Sequence, residues 1–201
     1  FDKAIENGLP LLPKSKGIEH SEISKILGES YFNLQKFEEA IPHLKNYKGQ
    51  KGKWNNTDFY QLGYAFYKQK QYEKAIAQFN KIIGGKDAVA QNAYYHLGES
   101  YLNLDKKQQA LNAFKNASEM EFDAAIQEDA SLNYAKLSYE IGNSYQSTPA
   151  VLMGFIKKYP NNANKSEIER LLIDSYISSR NYKEALVLLE MNKSPENKLA
   201  Y

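Results

Sequence analysis

The three histidines, His20, His43 and His96, are the side chains best suited to acid–base work or metal binding, and they are scattered along the chain. None stands at the i, i+4 spacing that places two ligands on one helical face. Cysteine is absent, which removes disulfides, thiolate nucleophiles and thiolate metal sites. No Gly-x-Ser-x-Gly element and no glycine-rich phosphate loop occurs, so nucleophilic and nucleotide chemistry have no candidate. Carboxylate pairs such as Glu38-Glu39 fall at positions expected on solvated helix faces, where charge is ordinary. Catalytic residues, metal ligands and cofactor sites are therefore all expected to be absent. The chemistry left is recognition. Tyr60, Tyr64 and Tyr67 stand at i, i+4 and i+7, a spacing that lays three rings along one face of a helix. Tyrosine suits interfaces because a rigid ring buries area while its hydroxyl keeps a hydrogen bond. Two readings of this stripe are open: a binding surface, or packing between neighbouring elements.

The elements that carry these residues repeat. Leu27-Gly28-x-x-Tyr31 with Ala40 recurs as Leu62-Gly63-x-x-Phe66 with Ala75, and as Leu97-Gly98-x-x-Tyr101 with Ala110. The step between copies is 35 residues for both the glycine and the alanine, and the glycine-to-alanine distance is 12 in each. A period of this length marks a stack of supersecondary units. Two looser copies follow, one with Ala135, Tyr139, Leu152 and a closing Tyr159-Pro160, the other with Leu172, Tyr176, Tyr182 and Ala185. In the fourth unit Lys136 stands where glycine is expected, and Ser147-Thr148-Pro149 disturbs the second helix. Each regular unit reads as two amphipathic helices. In the second, Phe59, Leu62, Gly63, Phe66 and Tyr67 share one face; after the polar turn Lys68–Gln71, a second helix carries Tyr72, Ala75, Ile76, Phe79 and Ile83, and Gly84-Gly85 ends it. Gly63 and Ala75 are expected where the two helices approach most closely.

Composition agrees with helical repeats. The chain is 42% hydrophobic with few prolines and glycines, enough apolar surface for each unit to bury a face against its neighbours. Its net charge of +2 is too small to argue for nucleic acid or an anionic membrane. No apolar run approaches the roughly 20 residues needed to span a bilayer. The opening Phe1-Asp2-Lys3-Ala4-Ile5 matches Phe37–Ile41 and Tyr72–Ile76, so residues 1–20 read as the second helix of a preceding repeat plus a linker. Units are expected at 21–55, 56–90, 91–128 (with an extended end), 129–165 and 166–201, the last including the start of a following first helix at Glu196–Tyr201. The chain thus reads as an excerpt of a longer protein.

The pattern aromatic-x-x-Leu-Gly-x-x-Tyr…Ala-x-x-x-Phe resembles the tetratricopeptide repeat. Tyr94, Leu97, Gly98, Tyr101, Ala110 and Phe114 meet it, as do Phe59, Leu62, Gly63, Phe66, Ala75 and Phe79; the first unit has Ser24 and Leu44 at the outer positions. The resemblance implies an all-α, right-handed superhelical solenoid of antiparallel helix-turn-helix repeats. It also implies a concave wall of first helices that binds polypeptides.

On that resemblance, the groove-facing positions are Glu22, Lys25, Glu29, Phe32 and Asn33; Thr57, Tyr60, Tyr64, Tyr67 and Lys68; and Asn92, Tyr95, Glu99, Leu102 and Asn103. Provisionally they include Asn133, Leu137, Glu140, Arg170, Asp174 and Ile177. The expected ligand-binding set is Glu29, Phe32, Asn33, Tyr60, Tyr64, Tyr67, Lys68, Tyr95, Glu99, Leu102 and Asn103, with Phe32 and Tyr95 beside the tyrosine stripe. Acids outnumber bases on this wall, while lysines gather on turns and second helices, as at Lys45, Lys48, Lys51 and Lys53. The expected partner is a protein or peptide, neutral to basic, with apolar anchors. The family's carboxylate clamp does not carry over: Lys25 suits one position, but Glu29 and Glu99 stand where asparagine is wanted and would repel a carboxylate.

Two other functions compete. Pentatricopeptide arrays share the 35-residue period and bind single-stranded RNA, although they lack the Leu-Gly…Ala signature and would need a basic groove. A passive spacer within a larger protein is the other. The aromatic-rich, Lys/Asn-rich units and the turn Tyr159-Pro160-Asn161-Asn162 look like tetratricopeptide proteins of bacterial envelopes, so the periplasmic side of an envelope is expected over the cytoplasm.

Overall fold

The computed structural model describes residues 1–191; the helix start expected at Glu196–Tyr201 lies outside the described residues. Eleven α-helices are present among those residues: α1 (Asp2–Gly8), α2 (Gly17–Asn33), α3 (Phe37–Asn46), α4 (Asn56–Lys68), α5 (Tyr72–Phe79), α6 (Ala88–Asn103), α7 (Lys107–Glu119), α8 (Ala124–Ile141), α9 (Thr148–Lys158), α10 (Lys165–Ser178) and α11 (Tyr182–Met191). A 3-10 turn at Leu12–Lys14 separates α1 from α2. Helix α2 begins at Gly17, inside the segment read as linker, because nothing between Gly17 and Ser21 interrupts helical hydrogen bonding.

Helices α2 to α11 pair as five antiparallel hairpins, and α1 packs on α2 as α3 packs on α4. First helices of successive units also touch: α2 with α4, α4 with α6, α6 with α8 and α8 with α10. Successive second helices make no comparable contact among the described residues. An array that is closer on one side than the other is curved, so α2, α4, α6, α8 and α10 form the inner, concave layer. The fold is an all-α tetratricopeptide-type repeat solenoid.

Small residues set the helix spacing. A Cβ on Gly98 would stand 2.8 Å from Phe114 Cε1, and one on Gly63 would stand 2.8 Å from Phe79 Cε1. On Gly28 it would meet Leu44 Cδ2 at 2.8 Å and the Leu44 backbone nitrogen at 2.9 Å. The glycine therefore makes room for the residue four after the repeat alanine, and Ala40, Ala75 and Ala110 are themselves fully buried. Among the described residues Phe79 and Phe114 are the largest side chains wholly removed from water, and burying one contributes about 1.5–3 kcal/mol.

The turns inside four of the five hairpins share one geometry. Gln35, Lys70, Asp105 and Arg180 all take a left-handed backbone conformation, with φ of 58°, 56°, 54° and 61°. Around each, the turn residue donates to the carbonyl three back and the next residue donates to the carbonyl five back, as Lys70 does to Tyr67 and Gln71 to Phe66. This is the Schellman closure of a helix C-terminus, built here without the usual glycine. Three of the five first helices start on side-chain caps. Asn55 and Asp58 form a reciprocal capping box on α4, Asp87 caps α6 and Asp123 caps α8. The connector between α7 and α8 hangs on fully buried Gln91. Its amide donates to the carbonyls of Ala117, Met120 and Asp123 and accepts from the Asp123 N–H at 2.7 Å.

Five expectations are corrected. Helix α5 ends at Phe79, the chain then turns, and Ile82 enters the core while Ile83 is half exposed. Gly84 alone of the glycine pair is left-handed. In the fourth unit, fully buried Ala135 fills the small slot read for position 136. Lys136 instead reaches across to Glu167 at 2.8 Å. Leu137, mapped to the groove, is buried in the core with Leu132 and Leu152. Pro149 disturbs nothing: it lies in the first turn of α9, where its missing N–H has no helical partner to lose.

Candidate functional site

On the concave layer, one aromatic cluster joins three units. Helix α4 places Tyr60, Tyr64 and Tyr67 in a row, with centroid separations of 5.8 Å and 6.0 Å. Phe32 of α2 meets Tyr64 edge-on at 5.8 Å, and Phe37 meets it at 5.6 Å. Lys68 Nζ lies 5.9 Å from the ring centroids of both Phe37 and Tyr64. All three tyrosines are half-buried, so each packs against the wall and still offers an edge to solvent.

The hub of the cluster is His96 of α6, a residue that spacing alone left without a role. Its ring contacts Tyr64 at 4.9 Å, Tyr67 at 5.1 Å, Tyr95 at 5.3 Å, Tyr60 at 6.1 Å and Phe79 at 6.2 Å. Nδ1 lies 2.8 Å from Glu99 Oε2. A carboxylate only accepts, so Nδ1 carries the proton. The signal available in the sequence was position: His96 and Glu99 stand three apart on a helix, and i, i+3 neighbours meet.

Tyr95 is placed differently from the stripe. Its ring packs against His96 and Phe114, and its hydroxyl donates to Asp129 of α8 at 2.8 Å. Asp129 was not singled out from the sequence; it lies 34 residues from Tyr95, one unit along. Glu29 lies 3.8 Å from Lys25. Asn33 and Asn103 each donate to a carbonyl on their own helix, those of Glu29 at 2.7 Å and Glu99 at 2.9 Å. Leu102 packs against the core of the third and fourth units. The expected residues thus divide. Phe32, Tyr60, Tyr64, Tyr67, Lys68 and Glu99 come together around His96, Tyr95 reaches them through that ring, and Glu29, Asn33, Leu102 and Asn103 stay outside the ring contacts.

Electrostatics keep the hydroxyls neutral. Burial pushes the Tyr60 hydroxyl far above its usual ionisation range, with Tyr64 and Glu99 adding to the shift. Burial does the same to Tyr67, where Glu99 opposes a second negative charge and hydrogen-bonds the neutral phenol. Tyr95 is raised by burial and by its bond to Asp129. The wall therefore offers neutral phenols beside carboxylates that accept from Tyr95 and His96. Lys25 is occupied elsewhere. Burial pulls its pKa down, but Asp58 at 3.5 Å, then Glu29 and Tyr47, outweigh that and raise it. Its ammonium also sits 4.6 Å from the Tyr47 centroid, so it holds α2 to α4 rather than facing a ligand.

Nothing convergent surrounds the other histidines. His20 bonds Ser15 and the Leu12 carbonyl, and His43 stacks on Tyr31 at 5.5 Å. Among the described residues no three His, Cys, Asp or Glu side chains could hold a metal ion, and no helix is long and apolar enough to cross a membrane.

Hairpin geometry, glycine-to-aromatic packing and a layered concave face define a tetratricopeptide-type fold. Comparison with known proteins agrees. The family model for anaphase-promoting complex, cyclosome, subunit 3 matches residues 50–117. No curated protein matches the chain in sequence. Among solved structures, MamA is similar with a TM-score of 0.58 and 20% identity, over 87% of this chain and 98% of MamA. YrrB, described as a TPR protein with an unusual peptide-binding site, is similar with a TM-score of 0.60 and 16% identity, over 99% of this chain and 95% of YrrB. The apo form of RapI gives a TM-score of 0.64 at 12% identity, over 98% of this chain and 62% of RapI. At these identities the likeness is one of fold.

Proposed function

We propose that this chain is a non-catalytic protein-interaction scaffold that holds a polypeptide segment along its concave wall. The preferred segment is neutral to basic and carries apolar anchors. The observation that carries this reading is the cluster around His96, where half-buried rings from α2, α4 and α6 form a continuous amphipathic face. A peptide laid across it gains ring area without having to order flexible side chains. Glu99 and Asp129 place carboxylates beside those rings, which favours a cation or a neutral donor over a carboxylate. The peptide-binding description of YrrB, a protein of the same fold, supports the same reading. An RNA ligand is opposed by the acidity of the wall, since affinity for nucleic acid rests on neutralising phosphates.

The test is capture of partners from the native organism by the full-length protein, beside a variant with Tyr60, Tyr64 and Tyr67 changed to alanine. Loss of partner with retained helical content supports the groove. Unchanged capture by a folded variant removes it, and saturable RNA binding at low salt would favour the other class.

A further inference from the structure

A cavity lies away from the aromatic cluster. Between the start of α2 and the connector after α3 there is a cavity of about 760 Å³, with Gly17, Ile18, His20 and Ser21 on one side and Lys48 and Lys51 on the other. The connector that walls it is firmly built. The Lys48 N–H donates to Ser21 Oγ at 2.9 Å, and the Trp54 indole donates to the Tyr47 carbonyl at 2.9 Å. Trp54 packs between Tyr47 and Phe59, at 6.4 Å and 5.2 Å. Gly49 takes φ +85°, and a Cβ there would fall on the Lys53 carbonyl, so the turn admits only glycine. The loop is thus fixed to α2 at Ser21, and the cavity opens beside that contact.

Its charge is one-sided. Residues 45–55 contain Lys45, Lys48, Lys51 and Lys53 and no acid, in a chain whose net charge is only +2. All four are exposed, and none has an ion-pair partner among the described residues, although five other lysines do. Glu19 and Glu22 of α2 are the nearby acids in the sequence, and neither is paired with these lysines; Glu22 lines the cavity. At the rim, Ile18 is 83% exposed, an apolar contact left open to solvent. A basic rim with an aliphatic contact complements a ligand of the opposite charge that carries an apolar side chain.

We propose that this cavity docks an acidic polypeptide segment with an aliphatic anchor, the lysines facing its carboxylates and Ile18 its apolar side chain. The site is the electrostatic opposite of the concave wall and does not depend on it. One chain could therefore hold a neutral-to-basic segment and an acidic one at the same time.

The experiment is fluorescence anisotropy with the full-length protein and a fluorescein-labelled peptide of alternating glutamate and leucine. A lysine–leucine peptide and phosphatidylserine vesicles serve as the other arms. The acidic peptide is expected to bind with an affinity that falls as salt rises. Affinity should drop about tenfold in the Lys48→Glu, Lys51→Glu double variant, as charge reversal at a docking rim predicts. Ile18→Ser should weaken it too, and Tyr64→Ala should leave it unchanged. Both lysines are exposed, and the bond to Ser21 uses backbone, so the double variant keeps the loop. Unchanged affinity in the double variant, loss in Tyr64→Ala instead, or a preference for vesicles over the acidic peptide would each overturn the proposal.

Discussion

His96 donates to Glu99 across 2.8 Å, and its ring stands 4.9 Å from Tyr64. This pair fixes α6 against the tyrosine row of α4, so one side chain determines both the spacing of two units and the shape of the concave face.

Replacing His96 with alanine should therefore remove ring contacts to four tyrosines and a phenylalanine. The expected cost is on the order of 2 kcal/mol, read as a lower urea midpoint. His96→Phe keeps most of the packing but removes the imidazole donor from Glu99, so its cost should be smaller. Equal losses in the two variants would assign the effect to the hydrogen bond.

The raised hydroxyls make stability depend on pH at the alkaline end. Tyr60, Tyr67 and Tyr95 hold their protons more tightly folded than unfolded, where tyrosine ionises near its usual value of 10.0. Their contribution is complete below about pH 10 and declines as pH rises above it, because only the unfolded chain releases those protons at first. Spectrophotometric titration should show Tyr60, Tyr67 and Tyr95 ionising together with unfolding. Glu99→Gln should lower the ionisation of Tyr67.

The glycines separate by what surrounds them. Gly98→Ala should cost about 1–3 kcal/mol, since the added methyl overlaps a fully buried phenylalanine ring. Gly154→Ala, in α9 with nothing within 4 Å of the added carbon, should be neutral or stabilise by up to about 1 kcal/mol. Thermal melts of the two variants check the contrast.

At the hairpin turns the sign reverses. Lys70 takes φ of 56° with a side chain in place, so Lys70→Gly should relieve about 0.5–1 kcal/mol and raise the melting temperature. A lower melting temperature would mean that the lysine contributes more than its backbone strain costs.

These outcomes reflect how far the sequence was legible. Gly28, Gly63 and Gly98 could be read because the same steric demand recurs every 35 residues, and a repeated demand is visible without knowing what fills the space. In the fourth unit Tyr134 and Ala135 do the work of leucine and glycine. The demand is met by different residues, and the register slipped by one. The end of α5 was misplaced because Ile82 and Ile83 are equally apolar, and only the turn after Phe79 decides which faces inward. His96 was illegible for another reason: its neighbours come from three helices, and only Tyr95 and Glu99 are local in sequence. Asp129 is the same case, since it acts through a tyrosine one unit away.

The central claim is that the concave aromatic face is where a polypeptide lies. The most direct measurement places a photocrosslinking amino acid at position 64, inside the cluster, and at position 183, on exposed α11, in the full-length protein within its native cells. Crosslinking of one discrete partner from position 64, and none of it from position 183, is the predicted result. The same partner trapped equally from both positions, or from position 183 alone, would contradict the account.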